Sequence, residues 1–183
     1  MWNDGIHVPV ERSGSTYLTA GYHKIDVDFF QWTTTPTLSV KYSGPNISKR
    51  AIPNSSLFTR DPSMVGNGRG IILREWWTGI SGSFISQLTS HPAYPNSPTD
   101  SDFLDSFDAP VKWGDNYGTR IRGYIHPPTS GLYTFWVSGD NDKELYLSTT
   151  DDPANKQRIA YGRAWTPLYG WDNSGTQESA PIY

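Results

Sequence analysis

Over residues 22–31, Ile25, Val27 and Phe29 alternate with Lys24, Asp26 and Asp28. A period of two puts successive side chains on opposite faces of an extended chain, so this stretch reads as a β-strand with one buried apolar face and one face toward water. The same alternation returns at Thr37, Leu38, Ser39, Val40, Lys41 and Tyr42, and a short strand is expected at 16–19. The spacing predicts three consecutive antiparallel strands joined by short loops. Further strands are expected at 70–77, 119–125, 132–137, 144–148, 158–161 and, starting a last one, at 180–183. Pro127, Pro128 and Gly131 punctuate one junction, and Gly139, Asp140, Asn141 and Asp142 another. Residues 81–87 suit a short helical turn, and no helical period exceeds about two turns.

Composition supports the same class. The 183 residues include 8 Trp, 11 Tyr, 7 Phe, 17 Gly and 14 Pro, with 18% charged. Many rings and turn formers with few charges fit an all-β domain, and so large an aromatic content argues against disorder. The expected architecture is an antiparallel β-sandwich with long loops and little helix.

Charge and cysteine content remove several functions. Fifteen basic and 18 acidic residues leave a net charge of −3, and no basic run exceeds the pair Lys49 and Arg50. That gives no broad footprint for nucleic acid or for anionic lipid. The absence of cysteine excludes disulfides, thiolate metal sites and a cysteine nucleophile. No apolar run approaches the length of a membrane span, so no insertion is expected. Met1, Trp2, Asn3 and Asp4 do not begin like a secretory leader, so a secreted form implies a longer parent chain. His7, His23, His91 and His126 are scattered, His23 and His126 are expected to be exposed, and no nucleophile elbow or phosphate loop is present. An enzyme is not expected. Asp100, Asp102, Asp105 and Asp108 lack the glycine and terminal glutamate of an EF-hand loop.

Residues 131–156, running from Gly131, Leu132, Tyr133, Thr134, Phe135, Trp136 and Val137 through Gly139, Asp140, Asn141 and Asp142 to Leu145, Tyr146 and Leu147, resemble the central signature of the PA14 domain. Residues 70–79 resemble that domain's first strand. Residues 3–7, 17–25 and 38–45 look like its C-terminal strands. The order is reversed. The resemblance implies 1–60 as the end of one module, 61–69 as a linker and 70–183 as the start of another, or one circularly permuted sandwich. A sandwich built from 70–183 alone would lack its last strands and expose an edge, which strands from 16–42 could fill within the chain or in a neighbouring copy.

In the lectin branch of that family, two successive aspartates joined by a cis peptide bind calcium and sugar hydroxyls at this turn. The resemblance maps them to Asp140 and Asn141, with Asp142 able to compensate for the missing carboxylate as a further calcium ligand. It also maps a second binding loop to 31–35, where Trp32 could stack on a pyranose ring beside Thr33. The plainer readings are an ordinary polar turn and a tryptophan folded on the rim. Asn46 and Asn54 head N-glycosylation sequons in a region, 43–70, that reads as surface loop. The expectation is a non-catalytic, secreted or cell-surface module that binds glycans or glycoproteins, with calcium as a possible cofactor. The alternative is a structural repeat subunit of a surface filament, built by strand exchange between neighbouring copies.

Overall fold

A computed structural model describes residues 12–31, 38–59 and 70–163. Chain order is β1 (Arg12–Leu18), β2 (His23–Gln31), β3 (Leu38–Gly44), β4 (Ile47–Ala51), β5 (Leu57–Phe58), β6 (Ile72–Thr78), α1 (Ile85–Thr89), β7 (Asp100–Leu104), β8 (Asp108–Ala109), β9 (Tyr117–Ile125), β10 (Gly131–Gly139), β11 (Asp142–Leu147) and β12 (Gln157–Arg163). Short 3₁₀ turns lie at Asn54–Ser56 and Pro153–Asn155. The fold is an antiparallel β-sandwich. One sheet runs β1-β10-β3-β4, with β8 also on β3. The other runs β12-β11-β2-β9-β6-β7, with β5 on β9.

The two ends of the chain interleave. β2 sits in the middle of the larger sheet, with Val27 opposite Leu145 of β11 on one side and Ile121 of β9 on the other. β10 lies between β1 and β3, with Phe135 opposite Gly14 and Tyr42. Strands on both sides of residues 60–69 therefore share every hydrogen-bonded layer. Their inward faces supply one core, including Ile25, Val27, Phe29, Tyr133, Phe135, Val137, Ile121 and Leu145, all fully buried.

Three sequence expectations change. The polar face of β2 does not face water: Lys24, Asp26 and Asp28 are 6%, 2% and 5% exposed. Over Asp28 the cover is a second, smaller cluster on the outer face of the larger sheet, whose Tyr94 reaches its carboxylate, and over Asp26 it is Lys156. Phe30 and Trp77 point outward there and are covered by Ile80, Ile85 and Leu88, with Ala93 and Tyr94 against them. Gly118 allows this cover, since a Cβ there would meet Leu88 Cδ1 at 2.6 Å. Second, the stretch read as loop over 43–70 contains β4 and β5, because Ser43 to Ala51 forms a hairpin onto the sheet edge through Asn46 in the left-handed region (φ 59°). Third, His23 is buried, with ring nitrogens 3.2 Å from Ser148 O and 2.8 Å from Thr19 O. The strand expected at 180–183 and the resemblance over 3–7 fall outside the described residues. No described helix is long and apolar enough to cross a membrane.

Candidate functional site

The 140–142 turn joins β10 to β11 at one end of the sandwich. Asn141 adopts φ 63°, a left-handed conformation that asparagine tolerates better than most residues. The only cis peptide among the described residues precedes Pro95. Asp140 and Asp142 are 2% and 1% exposed. Asp142 Oδ2 accepts from the backbone N–H of Ile85 at 3.0 Å, so the start of α1 closes over the turn. Asn141 Nδ2 is buried and makes no hydrogen bond to the described residues.

A cation is already built into this turn. Lys143 is fully buried, and its Nζ donates to Gly139 O at 2.8 Å and to Asn141 O at 3.3 Å. Burying an ammonium costs several kcal/mol unless acceptors surround it, so the two carbonyls and the neighbouring aspartates are what make the position tolerable. Among the described residues, no group of three or more Asp, Glu or His side chains is arranged to hold a metal ion.

Trp32 and Thr33 lie outside the described residues. The nearest described residue after them, Leu38, pairs with Gly139 immediately before Asp140, and also with Ala109. Leu38 thus lies at the same end of the sandwich as the turn. Asn46 and Asn54 are both exposed, one in the hairpin between β3 and β4 and the other in the 3₁₀ turn before β5.

A second polar assembly was not legible as a site in the sequence. On the outer face of the larger sheet, Glu144 of β11 faces Asp28 of β2, which faces Arg120 of β9, which faces Glu75 of β6. The adjacent row holds Tyr146, Asp26, Arg122 and Leu73. Arg122 donates from Nε and Nη2 to Glu75 at 2.7 and 2.9 Å, and Arg120 Nε donates to the same carboxylate at 3.0 Å. Burial would raise the Glu75 carboxyl, but the hydrogen bonds and charges of the two arginines outweigh it and leave the group below its usual range. Asp26 takes Lys24 at 2.5 Å and Lys156 at 2.7 Å. Burial lowers the Lys24 ammonium, against the pull of Asp26. Glu144 accepts from Arg158 at 2.6 Å and Tyr146 at 2.7 Å. Apart from Lys24 and Asp26, which are two residues apart on β2, the ion pairs join residues 14 to 130 positions apart in sequence, which is why no local motif marks the assembly.

No protein-family model matches the chain, and no solved structure matches it. Among curated proteins, it is similar to mouse fibrocystin-L, 26% identical over 180 residues, covering 93% of the chain and 4% of that protein. It is similar to mouse N-acetyl-beta-glucosaminyl-glycoprotein 4-beta-N-acetylgalactosaminyltransferase 1, 31% identical over 114 residues, covering 60% of the chain and 10% of that protein. It is also similar to dog fibrocystin, 36% identical over 55 residues, covering 30% of the chain and 1% of that protein. The chain spans a tenth or less of the length of each of these relatives.

Proposed function

We propose that the chain is a non-catalytic extracellular module of the PA14 type that binds carbohydrate at the end of the sandwich formed by the 140–142 turn. It is one permuted sandwich, with residues 12–58 contributing the strands that the 72–163 portion would otherwise lack. The observation that carries the reading is the turn itself. Two aspartates flank a left-handed Asn141 whose buried amide has no partner among the described residues, and Leu38, which follows the 31–35 stretch in the chain, pairs with Gly139 beside them. Buried polar groups are normally satisfied, so an unused amide on a half-buried residue at a loop-built end fits a donor that reaches a hydroxyl-bearing ligand when the side chain turns outward. The similarity to a tenth of the length of a glycoprotein N-acetylgalactosaminyltransferase fits a glycan-related module. Buried carboxylates on the outer face of the larger sheet are committed to ion pairs, as at Glu75, Asp26 and Glu144.

The turn fits calcium poorly. Calcium takes six to eight hard oxygens, whereas two backbone carbonyls of this turn, Gly139 O and Asn141 O, already accept from the Lys143 ammonium. The recognition we propose therefore runs through hydrogen bonds from the turn and stacking on the Trp32 loop, and calcium is the variable that its test removes. A filament subunit built by strand exchange is the weaker alternative, because β2 and β3 fill their places from within the same chain.

The test is a glycan-array screen of the full chain in millimolar calcium and again in EDTA, with Asp140→Ala alongside. Binding that survives EDTA and falls at least tenfold in Asp140→Ala supports the reading. Binding abolished by EDTA would restore calcium to the turn, and no glycan bound in either buffer would overturn the carbohydrate reading.

A further inference from the structure

The cover over the larger sheet stops partway down its outer face. Below Tyr94 and Pro95 the face opens into a groove of about 490 Å³, within the ~300–1,000 Å³ range of small-molecule sites. Its floor is β2 and β9, and Pro153 and Lys156 rise beside it from the 3₁₀ turn before β12. Four cations line it, Lys24, Arg120, Arg122 and Lys156, against one carboxylate, Asp26. The lining is thus four minus one, or +3, in a chain whose formal net charge is −3. A concave surface lined by one sign of charge concentrates ligands of the other sign.

The cations are held in place from behind. Glu75 uses Arg122 Nε and Nη2, which fixes the plane of the guanidinium, while 38% of that side chain remains open to solvent. Asp26 anchors Lys156, whose side chain is 34% exposed. Preorganised charges of this kind bind an anion without ordering long side chains at the moment of contact. Between them the lining is mixed: the Tyr124 ring, Leu73 and Pro153 offer apolar surface, and Thr59 offers a hydroxyl group.

We propose that this groove is a binding site, separate from the 140–142 turn, for an acidic saccharide: a glycan unit carrying a carboxylate or a sulfate. A sugar ring has an apolar face for Tyr124 and Leu73, and an acidic substituent for Arg122 and Lys156. A bare inorganic anion would leave the apolar wall unused. An acidic peptide added as a strand has no free edge here, since β2 and β9 are each paired on both sides. The groove centres on the row of Asp26 and Tyr146, while the turn leads into the row of Phe29 and Lys143, three residues or ~10 Å along the strands. The choice of a saccharide among anions rests on the carbohydrate reading above; the location of the site does not.

The test titrates the full chain in EDTA with a glucuronic-acid oligosaccharide, a sialylated trisaccharide, a sulfated disaccharide, a neutral oligosaccharide and a glutamate-rich peptide. Expected is binding of at least one acidic sugar, tenfold or more tighter than the neutral one, weakened about tenfold in Arg122→Gln and in Lys156→Gln and unchanged in Lys112→Gln. The carboxylate and sulfate arms show which acidic group is read. Lys156→Gln leaves the pairing of Glu75 intact and keeps the test valid if Arg122→Gln fails to fold. Neutral sugar bound equally in all variants would retain the carbohydrate reading and overturn the groove. Equal affinity for the peptide and the acidic sugars would overturn the saccharide assignment, and so would no acidic ligand bound at all.

Discussion

Asp28 shows what a buried polar face does to a single group. Tyr94 Oη lies 3.3 Å from both of its carboxylate oxygens. Arg120 faces it from β9, Glu144 from β11, and Asp26 and Lys156 act from the neighbouring row. Burial first, and the charge of Asp26 second, push its carboxyl up to about 7, against the pull of Lys156 and Arg120. Between the ordinary carboxylate range and pH 7 the folded protein holds a proton that the unfolded chain has released. The associated stability is present at low pH and is lost as pH rises through 7. Asp28→Asn keeps an acceptor for Tyr94 and removes the charge, so it should be more stable than the parent by about 1–3 kcal/mol at pH 8.5, with the gap much reduced at pH 5. Urea midpoints at the two pH values check this, and a gap of the same size at both would refute it. The alternation of Lys24, Asp26 and Asp28 with Ile25, Val27 and Phe29 was enough to assign the strand and its inward face. It could not reveal that the other face is covered, because the cover, Ile85, Leu88 and Tyr94, comes from more than fifty residues away and touches β2 only in the fold. The role of Lys143 was hidden likewise, since a lysine in a polar turn ordinarily points to solvent.

At the scale of elements, the strands were legible wherever alternation or a bounded apolar run marked them, as at β2, β3, β9 and β10. Those that were missed are short or are edge strands. β4 has no fully buried residue, and β5 and β8 have two residues each, too few to establish a period. The closure of the sandwich was equally invisible. β1 belongs to the smaller sheet and β12 to the larger, yet the two meet at Gly14, where a Cβ would lie 1.9 Å from Ile159 O. Glycine is what permits that approach. Gly14→Ala must push β1 off β12 or bend it, and overpacking of this kind costs about 1–3 kcal/mol. A thermal melt should fall by several degrees, and hydrogen exchange should rise first in β1 and β12. An unchanged melting temperature would mean that the two sheets are not in contact there.

At the scale of the whole molecule, the interleaving of strands from both ends of the chain has a thermodynamic consequence. The alternation that marks β2 as a strand was legible in sequence; that β2 enters between β11 and β9 was not, because strand order depends on pairing partners more than eighty residues apart. Without residues 12–58, the larger sheet would lose a central strand and expose two edges, and the apolar faces of Leu145 and Ile121 would lose Val27 between them. Exposed edges of that kind recruit other chains. A polypeptide of residues 70–183 alone should therefore aggregate or remain unfolded. Co-expression of 1–59 with 70–183 should instead recover a soluble one-to-one complex, because described strands from the two pieces pair with each other in both sheets. Size-exclusion chromatography with mass detection reads the outcome directly. Two-state unfolding of the complex at a midpoint that rises with concentration would be its signature, since association and folding are then one equilibrium. A soluble, cooperatively folded 70–183 fragment that ignores 1–59 would mean that the two stretches are separate modules, and that the shared core contributes nothing to stability.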